Sequence, residues 1–493
     1  MRASLLVTVT AAVAAAQLPT ATLNDAIYIG TTTRVASATA VVDKFLGIPY
    51  AATPRRFRAA QPRARGSERV NATVQPPACI QQSSSSGFES EDCLFLNVFA
   101  PRRGCGTAKG NKAVMLWFYG GALSTGSIRS VDGSSLAANQ DVILVACNYR
   151  LGVFGFPGNV SGLPDDELNP GFRDQKMALR WIHENIASFG GDPAKVTIFG
   201  ESAGAVSVDS HLMSELRDPP FRAAIMQSGG LHTFNRIALG VGVSVTGLGT
   251  GNKAAEPPLL TLARYMNCSA DTAVACLQAK PLAELKSAVL GLNLLFPPVD
   301  DGGQTSVADT DSARRAGRTA RVPVLIGSTF KEGAIFPAKA LQAKSLEQWA
   351  QAIYPSNEAD ASAVVHAYAV GSSAETQTAD DAVRLLHSDF QFACTTTYDS
   401  NMLAAIGIPT WRYMFNASLP SGPASHGSEV RLRLRASQSS AANQALSAKI
   451  QAAWARFAKD PASGPGWSTY EPTSSAENKA IQMIGTLVPY RLD

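Results

Sequence analysis

Residues 196–204 read Val-Thr-Ile-Phe-Gly-Glu-Ser-Ala-Gly and run directly into a helical pattern over 205–213. The first four have the length and β-branched, aromatic content of a buried strand. Between strand and helix stands G-x-S-x-G, centred on Ser202. A chain that turns this sharply needs small residues on both sides of the serine, because side chains there would clash. The turn lifts the serine oxygen out of the backbone toward solvent. With 40 Gly and 45 Ser in 493 residues, chance alone yields the pattern roughly 0.3 times. The strand-turn-helix context therefore decides, and Ser202 reads as a nucleophile. A glycine-rich helix entrance with a capping serine is the plainer alternative.

Outward from this turn, residues 114–118 (Val-Met-Leu-Trp-Phe), 142–146 (Val-Ile-Leu-Val-Ala) and 322–327 (Val-Pro-Val-Leu-Ile-Gly) read as further buried strands. Over 173–188 the pattern turns helical, with Ala178, Trp181, Ile182 and Ile186 on one face and Gly190-Gly191 as the stop. Short apolar runs alternating with helices predict an α/β fold, a mainly parallel central sheet flanked by helices. Helical segments between about 259 and 292 suit cap insertions, and 239–251 and 83–87 suit loops. There is no internal repeat and no linker biased enough to divide the chain, so one domain over 17–493 is expected.

The sequence is 45% hydrophobic and 17% charged, with 43 Lys+Arg against 39 Asp+Glu. This excludes intrinsic disorder, which needs low hydrophobicity and high net charge. A balance of +4, without a basic run, argues against a nucleic-acid partner. Met1-Arg2, an apolar run over 5–13 and Ala14-Ala15-Ala16 before Gln17 predict a signal peptide over 1–16. That run is too short to span a membrane, and no later uncharged apolar segment is long enough. The chain from Gln17 is expected to be soluble and secreted. Sequons at Asn71, Asn159, Asn267 and Asn416 agree with export as N-glycosylation sites. Of the 7 cysteines, Cys79 and Cys93, and Cys268 and Cys276, are spaced for loop-closing disulfides in an oxidising compartment. Cys147 lies in an apolar run and reads as a small buried hydrophobe. Cys105 and Cys394 are left to pair with each other or to stay free.

A serine nucleophile needs a base, usually His, and the base needs an orienting carboxylate. Of 6 histidines, His183 and His211 sit inside helical patterns, as do His366 and His387. With the order Ser, acid, His of this type of turn, His366, His387 and His426 remain, and His426 is favoured over His387. It lies in a loop after the apolar run 411–415, where strand-end loops carry catalytic groups. For the acid, Glu332 follows the strand ending at Gly327. Asp300 and Asp301 are rivals, although Pro297-Pro298 before them suggests an ordinary solvated turn. Backbone donors for a developing oxyanion would come from Ala203 and from the loop Tyr119-Gly120-Gly121-Ala122.

Together these segments resemble the type-B carboxylesterase/lipase family, relatives of cholinesterases and fungal lipases. Residues 189–204 look like its serine signature, and Glu91-Asp92-Cys93-Leu94-Phe95-Leu96-Asn97-Val98 like its second signature. Residues 45–51, 148–152 and 454–458 are also similar, and the resemblance covers about 27–470. It implies an α/β-hydrolase fold with a Ser-Glu-His triad, and Lys331-Glu332-Gly333 and His426-Gly427-Ser428-Glu429 match the acid and histidine motifs. It further implies oxyanion donors at Gly121, Ala122 and Ala203, disulfides Cys79–Cys93 and Cys268–Cys276, and structural ion pairs Arg56–Glu91 and Arg150–Asp174. No metal or cofactor is implied, only a small-molecule ester substrate.

Three departures stand out. Ala122 occupies a loop position where many relatives have Gly, which narrows the space beside the oxyanion donors. The loop closed by Cys79 and Cys93 is short and lacks the lid of lipases and the choline-binding tryptophan of cholinesterases. Residues 430–435 read Val-Arg-Leu-Arg-Leu-Arg, an alternation that suggests an exposed strand edge. The expected chemistry is hydrolysis of carboxylic esters through an acyl-enzyme, its rate rising with pH near an ordinary His value of about 6.5. A lipase on longer glycerides and a non-catalytic adhesion protein are the alternatives. The pocket walls are expected to draw on 292–298.

Overall fold

The computed structural model describes residues 18–485 except 25, 84–86, 103–110, 234–255, 308, 336–344, 355, 420–421, 435–439 and 473–480. The signal peptide expected over 1–16, the loop 239–251, Cys105 and Arg435 lie outside the described residues.

In chain order the strands are β1 Thr20–Thr22, β2 Ala26–Ile29, β3 Thr31–Arg34, β4 Val41–Pro49, β5 Glu68–Asn71, β6 Phe95–Pro101, β7 Lys112–Phe118, β8 Ile143–Cys147, β9 Gly191–Glu201, β10 Ala223–Gln227, β11 Val324–Thr329, β12 Thr410–Asn416 and β13 Ile481–Gly485. Ten of them form one sheet in the order β13-β12-β11-β10-β9-β7-β8-β6-β4-β3, and β1-β2-β5 form a small second one. Pairing is parallel from β13 through β8 and antiparallel from β8 to β3. Strands β8, β10 and β11 are buried along their whole length. Such continuous apolar runs are what a sheet covered on both faces requires. The four strands read from the sequence are β7, β8, β9 and β11.

Strand β8 lies on one side of β7 and β9 on the other, so chain order reverses at β7. Right-handed crossovers running in opposite directions put the connecting helices Ser134–Gln140 and Pro170–Asn185 on opposite faces. The first packs with the helix Ala441–Lys459, where Gln451 Nε2 donates to Ser135 Oγ at 3.1 Å. The second meets the helix Ala203–Ser214, where Gln175 Nε2 donates to Ser207 Oγ at 2.9 Å. The ends of β7 and β9 thus flank the switch point, the crevice in which α/β sheets hold ligands.

Both expected disulfides form, Cys79–Cys93 and Cys268–Cys276. The second ties down the cap helices Pro258–Tyr265 and Ala273–Ala279, followed by Leu282–Gly291. Arg56 joins the first loop to this cap: its guanidinium pairs with Glu91 at 2.7 Å and donates to Leu277 O and Lys280 O. Arg150 and Asp174 form a buried pair at 2.6 Å. Cys147 is buried, and desolvation pushes its thiol far up. Cys394 opens the helix Cys394–Ala405 and is exposed. Asn71, Asn159 and Asn267 are exposed and Asn416 half-buried. No helix among the described residues is long and apolar enough to cross a membrane.

Two expectations are corrected. The described part of the segment 430–435, residues 430–434, is not a strand edge, because Ser428–Arg433 is helical and Leu434 N donates to Val430 O at 2.9 Å. Leu432 and Leu434 are buried, and Ser447 of the neighbouring long helix donates to Leu432 O. Packing on that helix overrides a six-residue alternation that has no strand to pair with. Asp301 is not in a solvated turn either. Its buried carboxylate accepts from Thr305 N, Thr305 Oγ1 and Ser306 N at 2.6–3.0 Å, while Asp300 caps Gly302 N at the surface.

Candidate active site

Strand β9 delivers Ser202 into the expected turn. Its φ of 55° and ψ of −123° lie outside the common regions for a residue with a side chain. The two glycines of the motif are there for space: a Cβ on Gly200 would come 2.3 Å from the Gly204 backbone, and one on Gly204 would come 2.1 Å from Phe118 O. Ser202 N donates to Gln227 O of β10 at 2.9 Å, and Ser202 O accepts from Ala205 and Val206 as the helix begins. Such a strained residue persists only where its surroundings over-determine it.

Glu332 follows β11 and is fully buried. One carboxylate oxygen accepts from Thr329 N and the other meets His426 Nδ1, each at 2.6 Å. His426 stands on the loop after β12, fixed to the acid turn where Lys331 N donates to Ala424 O at 2.8 Å. Its ring packs against Phe392, with centroids 4.9 Å apart. Its Nε2 lies 3.3 Å from Oε1 of Glu201, the residue before Ser202. Acid and histidine are therefore in direct contact, and Glu201 links the histidine to the serine turn.

The loop after β7 closes the other side. A Cβ on Gly120 would come 3.0 Å from Ser202 Cβ and 2.7 Å from Glu201 O, so Gly121 and Ala122 follow a residue pressed against the serine. Among the described residues the N–H groups of Gly121, Ala122 and Ala203 find no backbone acceptor. Ala203 is the first residue of its helix, where N–H groups have no intrahelical partner and the helix dipole favours negative charge.

The electrostatics depart from expectation. Burial opposes the imidazolium of His426, but Glu201, then Glu332 and Glu429, outweigh it and push the group up to about 9. The ordinary value of about 6.5 is corrected accordingly. Glu429 is fully buried, with Gln227 Nε2 donating to it at 2.9 Å and Trp454 Nε1 donating to Gln227 Oε1 at 3.3 Å. Sequence reasoning missed the roles of Glu201, which fills the unspecified position of the serine motif, and of Glu429, which was only part of the histidine motif, and it missed Gln227 and Phe392, which come from other segments.

The remaining histidines lie elsewhere. His211 is buried against Gln175 and desolvation lowers it to about 3. His387 is lowered to about 4 by burial, beside Trp349. His183 and His366 are exposed on helices, and His232 meets Asp311 and Asp399 through its two ring nitrogens. Among the described residues no group of three His, Cys, Asp or Glu is placed to hold a metal.

A family model described as the carboxylesterase family matches residues 19–486. Carboxylesterase 5A of Felis catus is 39% identical over 291 residues, 55% of this chain and 51% of that protein. Fumonisin B1 esterase of Sphingopyxis macrogoltabida is 32% identical over 422 residues, 79% and 71% of the two chains. Para-nitrobenzyl esterase of Bacillus subtilis (strain 168) is 31% identical over 451 residues, 85% and 86%. The chain spans about half the length of the mammalian relatives it matches.

Proposed function

This chain belongs to the carboxylesterase family, and we propose that it is a serine esterase hydrolysing small-molecule carboxylic esters through Ser202, His426 and Glu332. The observation that carries the reading is the contact of buried Glu332 with His426 beside a strained Ser202 turn. His426 Nε2 takes the hydroxyl proton as Ser202 Oγ bonds to the ester carbonyl carbon. The carbonyl electron pair moves onto oxygen, where N–H groups of Gly121, Ala122 and Ala203 stabilise it. As the C–O bond to the alcohol breaks, His426 returns the proton to the leaving oxygen. Water then attacks the acyl-enzyme by the same route, releasing the acid. Glu332 orients His426 and stabilises its charged form.

The proposal extends to the whole chain: residues 1–16 are a signal peptide, and 17–493 are one exported α/β-hydrolase domain with N-glycans at Asn71, Asn159, Asn267 and Asn416. Two disulfides and the exposure of Asn71, Asn159 and Asn267 support it. The esterase names of both bacterial relatives support an ester substrate.

A chain-length series of p-nitrophenyl esters, run with wild type and Ser202→Ala, tests the reading. Wild type should turn over the soluble esters, and Ser202→Ala should lose about 10⁴–10⁶ in kcat. Equal slow hydrolysis by both would sink the esterase reading and leave a binding protein. A rate that jumps above substrate solubility would replace it with a lipase.

A further inference from the structure

The loop that would hold the oxyanion is unusually strained. Gly121, Ala122, Leu123 and Gly126 all have φ between 55° and 122°, and Ala122 and Leu123 carry side chains that disfavour it. Within the loop, Gly121 O accepts from Ser124 N and Thr125 N at 3.0 and 2.9 Å. Those two bonds close a tight turn but do not fix where it sits relative to Ser202. That position has to come from outside the loop.

It comes from the disulfide-closed loop 79–93. Gln81 Oε1 accepts from Gly126 N at 2.6 Å while Gln81 Nε2 donates to Gly126 O at 2.9 Å and to Cys79 O at 2.7 Å. The amide thus reads one backbone residue as a sheet neighbour would, with its donor and acceptor both engaged. Next to it, Gln82 N donates to Ser124 O at 2.8 Å, and Gln82 Nε2 donates to Leu294 O on the cap. The far side of the loop is held where Gly152 N donates to Leu123 O at 2.7 Å. Gln81 itself is placed by its own N–H, which donates to Glu89 at 3.1 Å, and Glu89 is paired with Lys286 of the cap at 2.6 Å.

We propose that Gln81 is a positioning residue for ester hydrolysis: its two-point grip on Gly126 sets the Gly121 and Ala122 N–H groups at the distance the transition-state oxyanion requires. The proposal rests on the esterase reading above. A donor aimed at charge that develops only in the transition state affects kcat rather than substrate binding. Removing one such donor costs about 10²–10³ in rate, so displacing the loop while keeping its donors should cost ~10-fold to ~100-fold.

The test compares wild type, Gln81→Leu and Gln81→Glu on p-nitrophenyl acetate, with active sites counted by the p-nitrophenol burst from diethyl p-nitrophenyl phosphate. Gln81→Leu removes all three side-chain bonds. Gln81→Glu keeps an acceptor for Gly126 N and sets a carboxylate against two carbonyl oxygens; being nearly isosteric, it decides alone if the leucine variant does not fold. Both variants should lose ~10-fold to ~100-fold in kcat per counted site with KM within about threefold. Inhibition by a trifluoromethyl ketone, whose adduct with Ser202 carries an oxyanion, should weaken in parallel. An unchanged kcat per site, or a lower kcat with ketone affinity intact, overturns the proposal while leaving the esterase reading standing. Failure of that reading looks different: wild type would give no burst that depends on Ser202.

Discussion

His426 and His232 each stand between two carboxylates, and the similarity ends there. His426 holds Glu332 at Nδ1 and faces Glu201 at Nε2. His232 meets Asp399 at Nδ1, 2.6 Å away, and Asp311 at Nε2. Fully buried Arg314 bridges Asp399 to Asp209, and Asp209 accepts from Leu231 N at 2.8 Å. In the second cluster the Arg314 guanidinium is a shared counterion for Asp209 and Asp399, and both ring nitrogens of His232 are taken by carboxylates. It pins the loop after β10 to the helices Thr310–Arg315 and Cys394–Ala405. In the first cluster the acids outnumber the cation, and Nε2 points at the turn that carries Ser202. A histidine-carboxylate contact alone does not make a base; the charge balance and the neighbour of the second nitrogen do.

Exchanging the histidines should separate the two roles most sharply. His426→Ala should lower kcat by about 10⁴. His232→Ala should keep kcat per titrated site within about threefold and lose stability, since removing one member of a buried ionic cluster is strongly destabilising. Steady-state rates and urea unfolding on both variants check this, and a large kcat loss in the His232 variant would erase the distinction.

Next in size is Arg314→Leu. It leaves Asp209 and Asp399 buried without their shared counterion, a defect worth about 3–5 kcal/mol. Glu201→Gln, at the other cluster, should cost less, about 1.4 kcal/mol, the equivalent of one pKa unit at His426. If the two variants unfold at the same urea concentration, the contrast in charge balance is wrong.

The two clusters differed in how far the sequence revealed them. Ser202 was legible because the glycines around it are a local steric demand, and β8, β9 and β11 because burial on both faces writes an unbroken apolar run. Glu332 and His426 needed the resemblance to be separated from Asp301 and His387, since loop position alone left rivals open. Glu201 was in view yet unread, as its effect depends on a histidine 225 positions away (426 − 201). The His232 cluster was invisible: its partners come from three separate segments, and no local pattern announces a charge cluster assembled in space. The segment 430–435 was misread because an alternation of period two says nothing about whether a neighbouring strand exists.

The pH-rate profile is a finer probe. A base pushed up to about 9 is only about 1% neutral at pH 7, so kcat/KM should climb through the alkaline range with a midpoint near 9 rather than 6.5. In Glu201→Gln the largest charge holding the imidazolium is gone, and the midpoint should fall by about one unit, equivalent to about 1.4 kcal/mol. A wild-type midpoint near 6.5 would mean that Glu201 does not act on His426.

The smallest effect concerns stability against pH at His232. Burial, the largest influence, opposes its cation and Arg314 adds to that, but the charge and hydrogen bond of Asp399 together with Asp311 raise its pKa on balance. A His raised in the folded state contributes stability that is fully present below its unfolded value of about 6.5 and is lost as pH rises through the folded value. Wild type should therefore lose more stability than His232→Gln on going from pH 6 to pH 9. His426 titrates in the same window, also raised, but it is present in both proteins and cancels in the difference. Urea midpoints at four pH values give the two curves. Parallel curves would show that His232 carries the same charge folded and unfolded.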